Sequence, residues 1–391
     1  MNHPDPLHPA DARPVVAHLH RAYLALSETF IYQYLTHLHR YRPIMLARRT
    51  ENRANFPFEP VYAVADQARL VQGWNYLALK AWGHQPYFLK ILRQQKPALL
   101  HAHFGPEGVN ALSLRRALNV PLVTVFYGKD MSQLPRMASW RRAYQRLFSE
   151  GDGFLVEGSH MKRELAALGC PEQKIHLSHI GVDTTKFSFK PRTLAPHEPC
   201  RLLMCGRLVE KKGVAYALEA LAKVIDEFPN AQLRVVGDGP LRAELEALIR
   251  TRNLSAHAHI LGYLSHDEYA REVENAHLFL VPSVRAADGD SEGGAPTVVL
   301  EAQAAGLPIL GSTHADIPEV VGVKEPGFLV PERDADALAR NLRVMLANPH
   351  RWPEWGMVGR KHVEAEYDIR RVAQTLETIY DRAQETFQPR K

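Results

Sequence analysis

Cysteine is scarce: Cys170, Cys200 and Cys205 are the only three in 391 residues. They form no ligand-like cluster and cannot all pair with one another. The sequence therefore excludes a disulfide-stapled fold and reads as a cytosolic protein with reduced, buried thiols. No window approaches the roughly 18 unbroken apolar residues that a membrane span needs. The opening MNHPDPLHPADARP is polar and proline-rich, with no hydrophobic secretion segment, and reads as a loose tail. Nucleic-acid-binding motifs are missing too, and the basic residues are spread over several predicted helices, which argues against nucleic acid as a partner. No metal cluster is visible. His101 and His103 alternate on one predicted strand without a third ligand in register, so no metal is expected.

What is present is enough apolar sequence, 46% of the chain, to give two domains a core each. Charge divides unevenly between them. Residues 1–190 carry 24 basic against 14 acidic side chains, a balance of +10, and residues 191–391 carry 24 against 29, a balance of −5. A basic half suits an anionic membrane surface, where each nearby cation is worth about 1 kcal/mol. The segment 66–95 reads as a helical run with Trp74, Tyr76, Lys80, Trp82, Tyr87, Phe88, Lys90 and Arg93, a mixture found at lipid interfaces and equally on half-buried helices.

Strand-like and helix-like segments alternate along the chain, which predicts two doubly wound α/β lobes facing each other across a cleft. The predicted boundaries are a first lobe at 1–187, a polar linker at 188–200 (SFKPRTLAPHEP lies within it), a second lobe at 201–366 and a final helix at 367–391. Predicted first-lobe strands lie at 14–18, 98–103, 121–126 and 174–178. In the second lobe they lie at 201–206, 233–236, 259–262, 278–281, 309–311 and 327–330. Ser27 provides N-cap chemistry for a helix carrying Phe30, Ile31, Tyr34, Leu35 and Leu38, and Ser159 does the same for one carrying Met161, Leu165 and Leu168.

Two stretches carry chemistry. From Val281 to Glu319 a buried strand runs into an acidic, glycine-bearing loop, then a helix opening at about Pro296, then Gly306-Leu307-Pro308 and a second strand. Gly293 and Gly294 let backbone N–H groups approach a ligand, and Pro296 stands where a first helical turn has no N–H to lose. Glu292 precedes this turn and Glu301 lies one turn into the helix. The loop His314–Glu319 should return to the same sheet edge. In the second stretch the strand 201–206 ends in Gly206-Arg207, with Lys211 and Lys212 at the next helix start. Two cations over an open helix N-terminus provide fixed positive charge for a pyrophosphate leaving group.

PS…EGGAP…LEAQAAGLPI…IPE resembles the donor-site signature of the retaining, nucleotide-sugar-dependent glycosyltransferases of GT-B architecture, family 4 type (glycosyl transferases group 1). SETFI, beginning at Ser27, resembles the colanic-acid and exopolysaccharide branch. The resemblance implies a hexose moved from a UDP- or GDP-sugar to an oligosaccharide, on a lipid carrier, at the inner face of the cytoplasmic membrane, with no cofactor besides the donor. It implies Glu301 on the ribose hydroxyls and Glu292 against the hexose. The family pattern has one residue fewer between these glutamates; eight separate them here, and Gly293 holds the strict position. It assigns Arg207 and Lys212 to the pyrophosphate, in place of a divalent cation. Gly206, Gly293, Gly294, Ala295, Pro296, Thr297 and Leu264 would complete the donor site, with Leu264 beside the base. His103, Tyr127, Asp130 and Ser27 would form the acceptor side. The family often has histidine where Tyr127 stands, and a tyrosine is no base at neutral pH. The final helix would cross back over the first lobe. A sugar-nucleotide epimerase or hydrolase of the same architecture, and a non-catalytic assembly partner, are the alternatives.

Overall fold

The computed structural model describes residues 11–26, 28–323, 325 and 328–389. Two all-parallel sheets organise it. The first contains β1 (Val15–Tyr23), β2 (Arg42–Thr50), β3 (Val61–Ala63), β4 (Leu99–His103), β5 (Leu122–Val125), β6 (Gly153–Val156) and β7 (Ile175–Leu177), in the order β3-β2-β1-β4-β5-β6-β7. The second contains β8 (Cys200–Cys205), β9 (Ala231–Val236), β10 (Ala258–Gly262), β11 (Leu278–Val281), β12 (Ile309–Ser312) and β13 (Leu329–Val330), in the order β10-β9-β8-β11-β12-β13. Helices cover both faces, so central strands such as Gly-Phe-Leu-Val in β6 and Leu-Phe-Leu-Val in β11 are buried throughout. The two lobes form the GT-B architecture. In each, strand order reverses beside the first strand, between β1 and β4 and between β8 and β11, and such reversals open the crevices where ligands bind.

Several local expectations are corrected. β1 runs on through the polar-looking His18 and His20, which are buried, and β2 and β3 lack a clear sequence signal. The run 66–95 is two helices, Arg69–Trp82 and Pro86–Gln95, separated where Gly83 takes a left-handed conformation (φ 73°). The turn after β4 leads straight into a helix that begins at Gly105. Pro296 is the N-cap of the helix Thr297–Ala304 and not its first residue. Ser27 lies outside the described residues.

The last helix, Ile369–Thr386, completes the first lobe. Ile369, Val372, Leu376, Ile379 and Tyr380 are buried against Val16, Leu99, Val123 and Leu155 of the first sheet. Glu377 on the same helix is 2% exposed, and its carboxylate accepts hydrogen bonds from the backbone N–H groups of His39 (2.7 Å) and Arg40 (2.6 Å). Hydrogen bonds to a charged acceptor are worth about 1.5–3 kcal/mol each, so this contact holds the helix in place. Among the described residues, no helix is long and apolar enough to cross a membrane.

Candidate active site

The strongest grouping of charge lies at the reversal between β8 and β11. After β8 the chain turns through Gly206 and Arg207 into a short 3-10 turn, Glu210–Lys212, and Gly213 (φ 68°) opens the helix Val214–Ala222. A Cβ at Gly213 would fall 1.8 Å from the Pro282 carbonyl oxygen, so only glycine lets this turn sit against the end of β11. Lys212 then reaches over Gly206 and donates from Nζ to Glu292 Oε2 at 2.9 Å, while the Ser283 hydroxyl donates to Glu292 Oε1 at 2.8 Å. Glu292 is 6% exposed. Burial pulls its carboxyl pKa upward, and Lys212 and Lys211 outweigh that pull and hold it below the ordinary value. Gly206, Lys212, Ser283 and Pro296 line one crevice together with Cys205 and Val281.

Glu301 does not itself line that crevice, and the structure relates it to the crevice through Cys205, which does. Burial raises its carboxyl to about 7, with Tyr269 pulling in the opposite direction. The Cys205 thiol is pushed up to about 12 by burial, with Glu301 adding to the rise and Lys212 opposing it, so both charged groups bear on one sulfur. Arg207 stands apart: it is exposed, does not line the crevice, and makes no ion pair among the described residues. Lys211 holds the loop instead, donating to Asp290 (3.3 Å) and to the Ser291 carbonyl (2.8 Å). Leu264 follows β10 and packs, half-buried, on the second core. Ala295 packs there also, and Thr297 is the first helical residue.

His314 sets the loop from the other side. Its Nδ1 lies 2.8 Å from Glu332 Oε1, which can only accept, so Nδ1 carries the proton. Nε2 is then the acceptor for the Glu292 backbone N–H (3.3 Å) and the Ser291 hydroxyl (3.1 Å).

The loop also meets the first lobe. Gly293 (φ 84°) lies so close that a Cβ there would be 1.9 Å from the Tyr127 carbonyl oxygen, and one on Gly294 would be 1.8 Å from Glu157 Oε2. Gln133 donates to Asp288 at 2.9 Å, and Arg136 bonds the Asp288 carbonyl. The helix Ser159–Ala167 is capped by none of its own side chains, and Ser159 is its first residue where the sequence suggested a cap. Its amides are taken by carboxylates of the other lobe. Ser159 N–H donates to both Glu319 oxygens (3.1 Å each), and His160 N–H donates to Asp316 Oδ1 (2.7 Å). A helix N-terminus favours negative charge, and here the charge crosses between lobes.

On the first-lobe side, Asp130 is buried and accepts from the backbone N–H groups of Gly105 (2.9 Å), Tyr127 (3.1 Å) and Gly128 (2.9 Å). It organises the turn and presents no oxygen to a ligand. Tyr127 is 6% exposed and its hydroxyl turns inward to His103 Nδ1, 2.8 Å away. His103 is fully buried, so it supports Tyr127 from behind and does not line the cleft. The register of β1 with β4 also supplies the third histidine that sequence spacing did not show, because His18 pairs with His101. The candidate ligand atoms of His18, His101 and His103 lie within 4.8 Å of one another. Their rings are nearly parallel, 19–25° apart, so the lone pairs do not converge as four-coordinate metal ligation requires. His18 Nδ1 bonds His103 Nε2 at 2.9 Å, and burial depresses all three imidazoles into the neutral form.

Glu157 escaped the sequence reading. It is the first charged residue beyond the buried strand β6, and that position at a carboxyl end was the available signal. Burial, then Asp316, Asp130 and Glu292, push its carboxyl well above the ordinary value.

Residues 27–186 match the family described as Glycosyltransferase Family 4, and residues 185–362 match Glycosyl transferases group 1. The glycosyltransferase WcaL of Escherichia coli (strain K12), named for colanic acid biosynthesis, is 35% identical over 278 residues, 69% of this chain and 68% of its own. AmsK of Erwinia amylovora, named for amylovoran biosynthesis, is 35% identical over 283 residues, 71% of this chain and 69% of its own. Among solved structures, Anabaena HepE in complex with UDP and glucose superposes with a TM-score of 0.74 at 14% identity, covering 95% of this chain and 100% of that one. With relatives this similar spanning two thirds of both sequences, the chain belongs to the GT-B glycosyltransferases of family 4, the glycosyl transferases group 1.

Proposed function

We propose that the protein transfers a hexose from a UDP- or GDP-sugar to an oligosaccharide on a lipid carrier, with retention of anomeric configuration, in exopolysaccharide or capsule assembly. The observation that carries this reading is the buried Lys212–Glu292 pair beside Gly206 and the helix start at Pro296, at the strand-order reversal of the second lobe. A diphosphate seated there meets the Lys212 ammonium and the backbone of a helix start, and both gain in strength as negative charge develops on the leaving group. Glu301, one turn into that helix, would accept from the ribose hydroxyls, and Glu292 from the hexose. The loop His314–Glu319 positions Glu292 through its backbone. The pathway comes from the likeness to WcaL and AmsK, named for colanic acid and amylovoran biosynthesis, and the nucleoside diphosphate sugar from the HepE neighbour bound to UDP and glucose.

Attack and departure on one face of the sugar, with the leaving phosphate taking the acceptor proton, need no side-chain base in this scheme. The scheme also calls for no cofactor besides the donor, because Lys212 and the helix dipole supply the positive charge. Screening UDP- and GDP-sugars for thermal stabilisation, then following the product anomer by NMR in the presence of EDTA, tests it. Stabilisation by one donor, a retained anomer and turnover insensitive to EDTA are expected. Donor consumption without any acceptor would identify a hydrolase or epimerase instead.

A further inference from the structure

The helix Arg69–Trp82 is turned inside out. At about 100° per residue, Leu70, Trp74, Leu77 and Ala81 share an arc of about 60°, the stripe a globular protein normally buries. Here that stripe faces solvent: Leu70 is 89% exposed, Leu77 60% and Trp74 51%. The face turned to the protein is thin, with Asn75 and Ala78 its buried residues, and Asn75 accepts from the Tyr87 N–H of the next helix at 2.9 Å. Val71, Tyr76 and Trp82 flank the stripe. Six of the thirteen large hydrophobic side chains exposed among the described residues therefore sit on one 14-residue helix. An apolar concentration of this kind marks a surface that is covered in use.

Charge identifies what covers it. From Gln67 to Pro106 the sequence contains no aspartate or glutamate, while Arg69, Lys80, Lys90, Arg93 and Lys96 lie in that interval, all exposed. Lys80 Nζ sits 4.6 Å over the Tyr76 ring, and Trp74 and Trp82 meet edge to face at 5.4 Å. Aromatic rings beside cations, around a row of leucine and tryptophan, match an anionic headgroup layer with acyl chains beneath it. We propose that this helix lies in the surface of an anionic bilayer, with Leu70, Trp74 and Leu77 inserted and the flanking cations at the phosphates. The proposal deepens the reading of a lipid-linked acceptor by giving the enzyme its contact with the membrane, and it stands on residues remote in sequence from the donor site.

Flotation of the full-length protein with vesicles of phosphatidylcholine alone, and with one quarter phosphatidylglycerol, tests it. The protein is expected to float with the anionic vesicles and remain behind with the zwitterionic ones. Leu70→Ser/Trp74→Ser/Leu77→Ser should lower binding at least about 100-fold, since the three inserted apolar side chains are lost together. Lys80→Glu/Lys90→Glu should lower it at least about tenfold and flatten its salt dependence. All five positions are exposed, so both variants should keep the parent melting temperature. Equal flotation with both vesicle types, or unchanged flotation of the triple variant, would overturn the proposal. So would a wild-type dimer in sedimentation equilibrium that the triple variant dissociates, because the face would then be covered by a second copy. Thermal stabilisation by nucleotide sugars, measured on the same samples, reads the donor site separately and tells failure of the surface from failure of the transfer reading.

Discussion

Glu301 shows how one side chain ties ligand binding to pH. Its folded pKa of about 7 lies above the ordinary 4.5 because the carboxyl is buried, so the folded protein keeps a proton that the unfolded chain has already released. Its contribution to stability is therefore present below pH 4.5 and is lost as pH rises through 7, at up to about 1.4 kcal/mol per pH unit. A ribose diol donates two hydroxyl protons and prefers the ionised acceptor. Nucleotide-sugar affinity should then be constant above pH 7 and weaken as pH falls below it, by at most about tenfold per unit. Calorimetry in buffers of different ionisation enthalpy should show proton release on binding near pH 6, and affinity that stays flat across the acid range would remove Glu301 from the ribose. The Lys212–Glu292 pair has its own signature. Lys212→Met should lower turnover about 10²–10³-fold and destabilise the fold by about 3–5 kcal/mol, because Glu292 is left buried without its cation. Adding Glu292→Gln should restore the melting temperature and leave turnover low. If the single variant turns over normally, the pyrophosphate role is gone. Lys212 and Glu292, which the structure pairs, stand out in the sequence because glycine turns at strand ends leave a pattern in the chain. Glu157, Asp316 acting as a cap, and the inward turn of His103 were not legible, since each depends on which residue of a distant segment lies opposite.

Among the elements, the helix Ser159–Ala167 is the most informative. Sequence offered Ser159 as a local cap, and the fold satisfies its amides from the other lobe through Asp316 and Glu319. Burial raises the Asp316 carboxyl, so this bond is lost to protonation at a higher pH than an exposed aspartate would allow. Asp316→Ala should accelerate hydrogen exchange at the His160 amide at least about tenfold, a charge-assisted bond being worth about 1.5–3 kcal/mol. Exchange elsewhere in the first sheet should not change. An unaltered exchange rate at His160 would show that the two lobes separate freely in solution. Strands β2 and β3 mark the opposite limit of sequence reading: Arg-Pro-Ile-Met-Leu-Ala-Arg-Arg-Thr carries charges at both ends, and only pairing with β1 makes it a strand.

For the molecule as a whole, the lobes meet at backbone distance. Gly293 has no room for a side chain beneath the Tyr127 carbonyl and holds a left-handed conformation as well. Gly293→Ala should wedge the lobes apart. Small-angle scattering should then show a larger radius of gyration, and transfer should fall at least about 100-fold through loss of alignment. Unchanged scattering with unchanged transfer would show that this contact does not set the closed arrangement. The two-lobe plan itself was evident from the alternation of strands and helices. How closely the lobes approach was not, because it depends on contacts between segments more than a hundred residues apart.

The return of the final helix to the opening sheet also fixes an order of events at the ribosome. Val16, Leu99, Val123 and Leu155 emerge early, yet their covering residues, from Ile369 to Tyr380, are translated only after every strand of the second sheet. The second half can therefore consolidate while the first still waits with an uncovered apolar face. That interval, and not the mature enzyme, is when the nascent chain most needs a chaperone.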